Sequence, residues 1–208
     1  MNPNRNSRSV LVMIFLLALL LSLISCNVTG ENTQASKDSE FQLVVLDYQV
    51  TRYGELGHNW QTAWPVLQAA YPSHAACTIS ADAIDSYDWS EQIITLTTQA
   101  SVAILDIYEV TSEDCRKNRD KVCLIRLAFV VVYQGKPLYG GIFWIKDYMG
   151  AEAFLYPIIY SMITADGRVA FIIRPNNLSS ETYSADDWLL IKDKRIEALF
   201  AELGKLTK

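Results

Sequence analysis

Histidine is nearly missing from this 208-residue chain, where His58 and His74 are the only two. A zinc site takes three or four ligands. His74-x-x-Cys77 has a metal-compatible spacing, but a set would need His58 and Asp82 brought in by the fold. No Gly-x-Ser-x-Gly elbow is present, so a Ser-based hydrolase of that type is not indicated. Ser73-His74 adjacency says nothing about geometry, and a Cys77 nucleophile served by His58 would also rest on the fold alone. Glycine is sparse, nine in all, and none is arranged as a phosphate-cradling loop. Internal repeats are absent as well. Basic charge is the last shortage. Beyond Arg5 and Arg8, 16 basic residues face 23 acidic ones, a net charge of −7. That balance argues against nucleic acid as a partner. No cofactor is implied.

What the chain does have stands first at its N-terminus. Met1–Ser9 carries Arg5 and Arg8 and no acid, and Val10–Ile24 follows as 15 residues with Ser22 the sole polar one. A helix of that length spans roughly 22 Å, against a hydrocarbon core of about 30 Å. It reads as the h-region of a signal peptide rather than a spanning helix. Leu23-Ile24-Ser25-Cys26 closes it. This tetrad resembles the lipobox of bacterial lipoproteins. The resemblance covers residues 1–26 and implies removal of residues 1–25 and lipidation of Cys26, by a diacylglyceryl thioether and usually an acylated amine. Two or three acyl chains hold a protein effectively permanently, whereas one holds marginally. Asn27 is not an acid, which in that family implies an outer-membrane destination in a diderm host. In a monoderm host it implies the outer face of the cytoplasmic membrane.

Residues 26–40 are polar after Cys26 and read as a flexible tether, because they cannot bury enough surface to offset ordering entropy. Residues 41–208 have the size of one globular domain. Cys115 and Cys123 flank the basic stretch Arg116, Lys117, Arg119, Lys121 between two apolar segments. Export to an oxidising compartment and that spacing suit a disulfide across the base of a hairpin. Closing this short ring would stabilise by about 2.5 kcal/mol on the chain-entropy account. Cys77 is then left as a buried, inert thiol. The basic stretch reads as a solvated hairpin tip, with lipid headgroups or an acidic partner as the alternative.

Patterning over the domain predicts a strand at 41–51, a helix over 61–71 capped by Asn59, and a short strand at 77–80. A turn or single helical turn is predicted over 81–88, a strand at 93–97 and a helix over 98–110 capped by Thr97 or Thr98. Strands at 124–133 and 138–145 form a hairpin around Gln134-Gly135-Lys136-Pro137, with Gly140-Gly141 marking a bulge or close backbone approach. A second hairpin joins 156–164 to 168–174 through Ala165-Asp166-Gly167. One long helix is predicted from Ala185 to Leu203, with a capping box at Ser184 and Asp187, an apolar stripe including Leu189, and Gly204 as its stop. Together these give an α+β domain. Its sheet is mainly antiparallel, with helices packed on one face, the C-terminal helix among them.

Asp82, Asp85 and Asp88 would share a face on a helical turn, as in a cation site, but the calcium-loop pattern is missing. Capping and turn roles suit them better. Trp60, Trp64, Tyr71, Tyr87, Trp89, Tyr139, Trp144 and Tyr148 could build a carbohydrate or peptide platform, although core packing uses the same residue types. Finally, ISADAIDSYDWSEQIITLTTQA, AFVVVYQGKPLYGGIFW and YPIIYSMI resemble, in order, the exported head region of SecD-type translocase subunits. That resemblance covers about 90 residues of apolar patterning. It implies a small α+β fold that contacts other polypeptides, without the translocase's membrane helices.

The expectation is therefore a membrane-tethered extracytoplasmic lipoprotein. Its domain would be a binding or interaction module with a protein or peptide partner, and no catalytic set is assigned. A cell-envelope hydrolase using Asp or Glu, and a structural envelope protein, are the alternatives.

Overall fold

The computed structural model describes residues 26–28, 40–47, 56–107, 127–144, 154–176, 178 and 183–207. Short runs of β-branched and aromatic residues supply most of the strands. These are β1 (Cys26–Val28), β2 (Phe41–Leu46), β3 (Ala75–Ser80), β4 (Ile84–Asp88) and β5 (Ile93–Leu96), then β6 (Ala128–Tyr133), β7 (Lys136–Trp144), β8 (Ile158–Ile163), β9 (Val169–Arg174) and β10 (Leu206–Thr207). The helices are α1 (Trp60–Ala70), α2 (Thr98–Ile107), α3 (Ala185–Ile191) and α4 (Lys194–Glu202). Their caps follow the sequence. Asn59 Oδ1 accepts from Thr62 N at 3.0 Å, Thr97 Oγ1 from Ala100 N at 3.2 Å, and Ser184 and Asp187 form the capping box.

All ten strands join one sheet, in the order β1-β3-β2-β6-β7-β8-β9-β5-β4-β10. It is mainly antiparallel, with parallel contacts at β1–β3, β7–β8 and β4–β10. β3 and β4 stand second and ninth in that order, yet only the 3-10 turn Ala81–Ala83 separates them. In a flat sheet seven steps would place them about 34 Å apart. The connection reaches at most about 14 Å. The sheet therefore curls back on itself, and Ala81–Ala83 is its corner. Both alanines are fully buried. Thr97 N donates to Ala83 O at 2.9 Å, and Lys205 Nζ donates to Ala81 O at 2.8 Å.

The concave face of the curl holds the larger core. Leu43, Val45, Ile79, Phe129, Val131, Phe143, Phe171 and Ile94 meet Ile104 of α2, Ile191 of α3 and Ile196, Leu199 and Phe200 of α4. Phe200 is the piece that closes it. Its ring lies 5.2 Å from Phe41 on β2 and 5.1 Å from Tyr87 on β4, edge-on to both. The convex face carries α1, whose Ala63, Leu67 and Ala70 pack with Val44, Leu46, Val130 and Val132. Helices on one face, as expected from the sequence, are not what is seen: among the described residues three lie on the concave side and one on the convex.

Three local readings also change. The 81–88 segment is a 3-10 corner followed by strand β4, because Ile84 and Tyr87 go into the concave core. The helix predicted from Ala185 to Leu203 breaks at Lys192. Asp193 caps a new helix by accepting from Arg195 N at 2.9 Å, a local bond that competes with helix continuation. The break rephases the stripe, so Ile191 and Ile196 are buried while Leu189 stands 70% exposed. And β1 places the first three residues of the expected 26–40 tether in the sheet, with Cys26 in register with Cys77.

The two glycines in β7 serve close approach. A Cβ on Gly141 would run into Pro157 O, and one on Gly140 would crowd Phe129 O. Gln92, fully buried with φ +54°, anchors the β4–β5 turn. It accepts from Tyr87 Oη at 2.7 Å, donates to Trp89 O at 2.7 Å, and its carbonyl accepts from Ile173 N at 2.9 Å.

Two outcomes test this core. Phe200→Ala is expected to cost about 3–5 kcal/mol in urea unfolding, whereas Leu189→Ala at the exposed site should stay within about 0.5 kcal/mol. Burial also pushes the Tyr87 and Tyr139 phenols well above the ordinary value of 10.0. Their protonated forms are bound more tightly by the folded chain, so this stability is complete below pH 10 and is lost as pH rises above it. Urea midpoints measured across that range should fall, and less steeply in Tyr139→Phe.

Candidate functional site

The residues considered for metal or nucleophilic chemistry do not converge. His58 is exposed at the start of α1, its ring stacked on Phe154 at 6.1 Å. His74 follows the other end of that helix, where its Nδ1 lies 3.0 Å from Asp47 Oδ2. The 11 residues of α1 span about 16 Å. Cys77 is 2% exposed within the concave core, on the face opposite α1. His58 and Cys77 therefore cannot act as base and nucleophile together. Among the described residues, no three His, Cys, Asp or Glu side chains gather as a metal site.

The three aspartates of the 82–88 segment separate in the same way. Asp82 sits in the 3-10 corner and Asp85 at a bulge in β4. Arg168 Nη1 meets Asp85 Oδ2 at 2.5 Å, and Arg168 Nε meets Asp166 Oδ2 at 2.7 Å. The Thr164 hydroxyl, followed by Arg168, holds the Asp166 carboxyl below its usual range. Asp88 caps its turn by accepting from Glu91 N at 2.9 Å and Ser90 Oγ at 2.8 Å. The Glu91 amide is the main cause of its lowered pKa. Cys115, Cys123, the basic residues Arg116, Lys117, Arg119 and Lys121, and Tyr148 lie outside the described residues.

The aromatic residues divide by face. Tyr87 and Tyr139 are buried in the concave core. Trp89 lies at its rim, edge-on to Tyr87 at 5.7 Å and with Lys194 Nζ over its ring at 5.7 Å. Lys192 covers Trp188 at 4.7 Å and Arg195 covers Tyr133 at 5.5 Å. The cations of α3 and α4 thus stand over ring faces, a contact of about 0.5–1 kcal/mol at exposed sites. On the convex side Trp60 and Trp64 stack at 4.9 Å. Trp144 meets Phe154 edge-on at 4.8 Å, and Phe154 meets Tyr156 at 5.4 Å.

Strand register extends Trp144 into a row. Trp144 pairs with Tyr160, Tyr160 with Ile172, Ile172 with Ile93, and Ile93 with Asp88. All five point to the convex side, because their strand neighbours Phe143, Ile159, Phe171, Ile94 and Tyr87 fill the concave core. Each is half-buried. Met162, Ala170 and Thr95 form a second row beside it. Among the described residues, no helix packs over β9, β5 and β4 on this side. The first row crosses five strands, a distance of about 19 Å. Arg174 stands at the edge, its Nη1 donating to Glu91 O at 2.7 Å.

Of this surface the sequence marked Trp144 as an aromatic candidate and Asp88 only as a turn or cation-site candidate. Tyr160, Ile172 and Ile93 were missed because apolar residues occur on both sides of β8, β9 and β5, so the pattern of one strand does not separate core from surface. Only the pairing register shows that they align.

A half-open apolar row takes up apolar probes. Tyr160→Ser with Ile172→Ser should lower the fluorescence of a bound anilinonaphthalene dye and, because both side chains are half-buried, lower the thermal midpoint by several degrees. A loss of dye signal in Leu189→Ser instead would place the exposed apolar surface elsewhere. The chain matches no protein-family model, no curated protein and no solved structure.

Proposed function

We propose that this chain is a lipid-anchored protein of the bacterial cell envelope whose domain is an interaction module for a polypeptide partner. The observation that carries the partner class is the convex row from Trp144 through Tyr160 and Ile172 to Ile93. Small-molecule sites are concave and enclose their ligand. A half-buried apolar row on the outside of a curled sheet matches a macromolecular surface instead. Aromatic and aliphatic anchors of this kind dominate the energetics of protein interfaces. The resemblance of residues 79–100, 128–144 and 156–163 to the SecD-type head region favours a polypeptide as well.

The location rests on the N-terminus. Arg5, Arg8, the apolar run Val10–Ile24 and Leu23-Ile24-Ser25-Cys26 support processing before Cys26 and lipid on its sulfur. The acyl chains would hold the domain on the outer membrane of a diderm host, or on the outer face of the cytoplasmic membrane otherwise. The acidic balance of the mature chain leaves the lipid, rather than general attraction to anionic headgroups, as the source of attachment.

Each half has its own experiment. Mass spectrometry of the mature N-terminus should find acylated Cys26, and Cys26→Ala should leave an unacylated chain that still carries residues 1–25. An unmodified Cys26 would end the anchor reading. A photoreactive amino acid at Ile172 in cells should yield a discrete polypeptide adduct that is missing when it replaces Gln134 in the β6–β7 turn. Equal adducts at both positions, or none at Ile172, would end the partner reading.

A further inference from the structure

From Leu56 to Ala81 the chain has no Asp, Glu, Lys or Arg. At the chain's overall 20% of charged residues, 26 positions would carry about five. The stretch forms one continuous part of the fold: α1, the turn at 71–74 and β3. Its surface is not hidden. Gln61, Thr62, Pro65, Gln68 and Ala69 are exposed on α1, and Pro72, Ser73, Ala75 and Ala76 are exposed beyond it. Trp60, Trp64 and Tyr71 are half-buried at the edges of this surface. The nearest acid along the pairing partner, Asp47, is held against His74 at 3.0 Å, and Asp47 N donates to His74 O at 2.8 Å.

The second observation is where the chain meets its anchor. β1 pairs in parallel with β3, with Cys26 level with Cys77 and Val28 with Ile79. Cys26 is thus only two residues, about 7 Å, from the end of β3 that begins at Ala75. Residues 29–39 then connect β1 to β2 rather than joining the domain to its anchor. An anchor built into the edge of the sheet leaves little freedom for the domain to stand away from the bilayer.

We propose that the uncharged surface formed by α1, the 71–74 turn and the start of β3 lies against the lipid bilayer. This deepens the anchor reading above and rests on lipidation of Cys26. Bringing charged side chains to a bilayer surface strips their water, and residues 56–81 carry none, the neighbouring Asp47 being paired with His74. Trp and Tyr sit at the headgroup level of membranes, where one part of the ring is apolar and another polar. Asp186, Asp187, Glu197 and Glu202 stand on α3 and α4, on the other side of the sheet, which suits an anionic leaflet. The curl of the sheet turns the β9–β5–β4 end of the convex row away from α1, so it stays open to a partner.

The test uses the full lipidated chain in phosphatidylcholine vesicles that contain a phosphatidylethanolamine with a diazirine on its headgroup. After photolysis and proteolysis, lipid adducts should concentrate on 60–76 and be several-fold fewer on α3 and α4. Leu189 is the control there, because an exposed leucine would label readily if it were near lipid. In the triple variant Gln61→Glu, Gln68→Glu, Ala69→Glu, all at exposed positions, labelling of 60–76 should fall several-fold. Adducts spread evenly, or concentrated on α3–α4, or unchanged in the triple variant, would overturn the orientation while acylated Cys26 still stands. Recovery of a chain with no lipid on Cys26 would instead overturn the anchor on which it depends.

Discussion

The rest of the structure depends on a three-residue connection between strands that stand far apart in the sheet. Ala81–Ala83 cannot span a flat sheet, so the sheet must curl, and the curl creates an inside. That inside needs filling from strands on both flanks at once. Phe200 does so by placing its ring against Phe41 and Tyr87. Two of the three corner positions tolerate only small side chains, since Ala81 and Ala83 are fully buried. Its carbonyls are tied by Lys205 and Thr97, so the tail of the chain and the start of α2 both secure the bend.

The same constraint sorts the surface. Among the described residues, curling gives the sheet a concave side that three helices occupy and a convex side that α1 covers in part. The apolar row on β8, β9 and β5 is what the convex side leaves half-open. Such a row is a liability for a freely diffusing protein, since exposed apolar patches invite association.

Much of the local structure was legible in the sequence. The caps at Asn59 and Ser184, the hairpins around Gln134-Gly135 and Asp166-Gly167, and the close approach at Gly140-Gly141 are all set by neighbouring residues, and patterns of neighbours report them. What was hidden is non-local. Nothing in residues 81–88 says that β4 will pair beside β5 at the far end of the sheet. The split between α3 and α4 turned on Asp193 accepting from Arg195 N rather than lying in a helix. The helical stripe through Leu189 concealed it. The candidate surface was hidden for the same reason: Tyr160, Ile172 and Ile93 belong to three strands and become one row only through register.

Phe200 also has a kinetic meaning. Its partners Phe41 and Tyr87 stand 159 and 113 positions earlier in the chain, so the contacts that close the curl are among the most distant it makes. Lys205 reaches the corner from later still. Non-local contacts of this kind carry their loop-closure entropy before they return any stabilisation, and they slow folding. A chain without residues 200–205 has neither the plug nor the clamp. The curl therefore closes only after α4 has met strands from both flanks of the sheet.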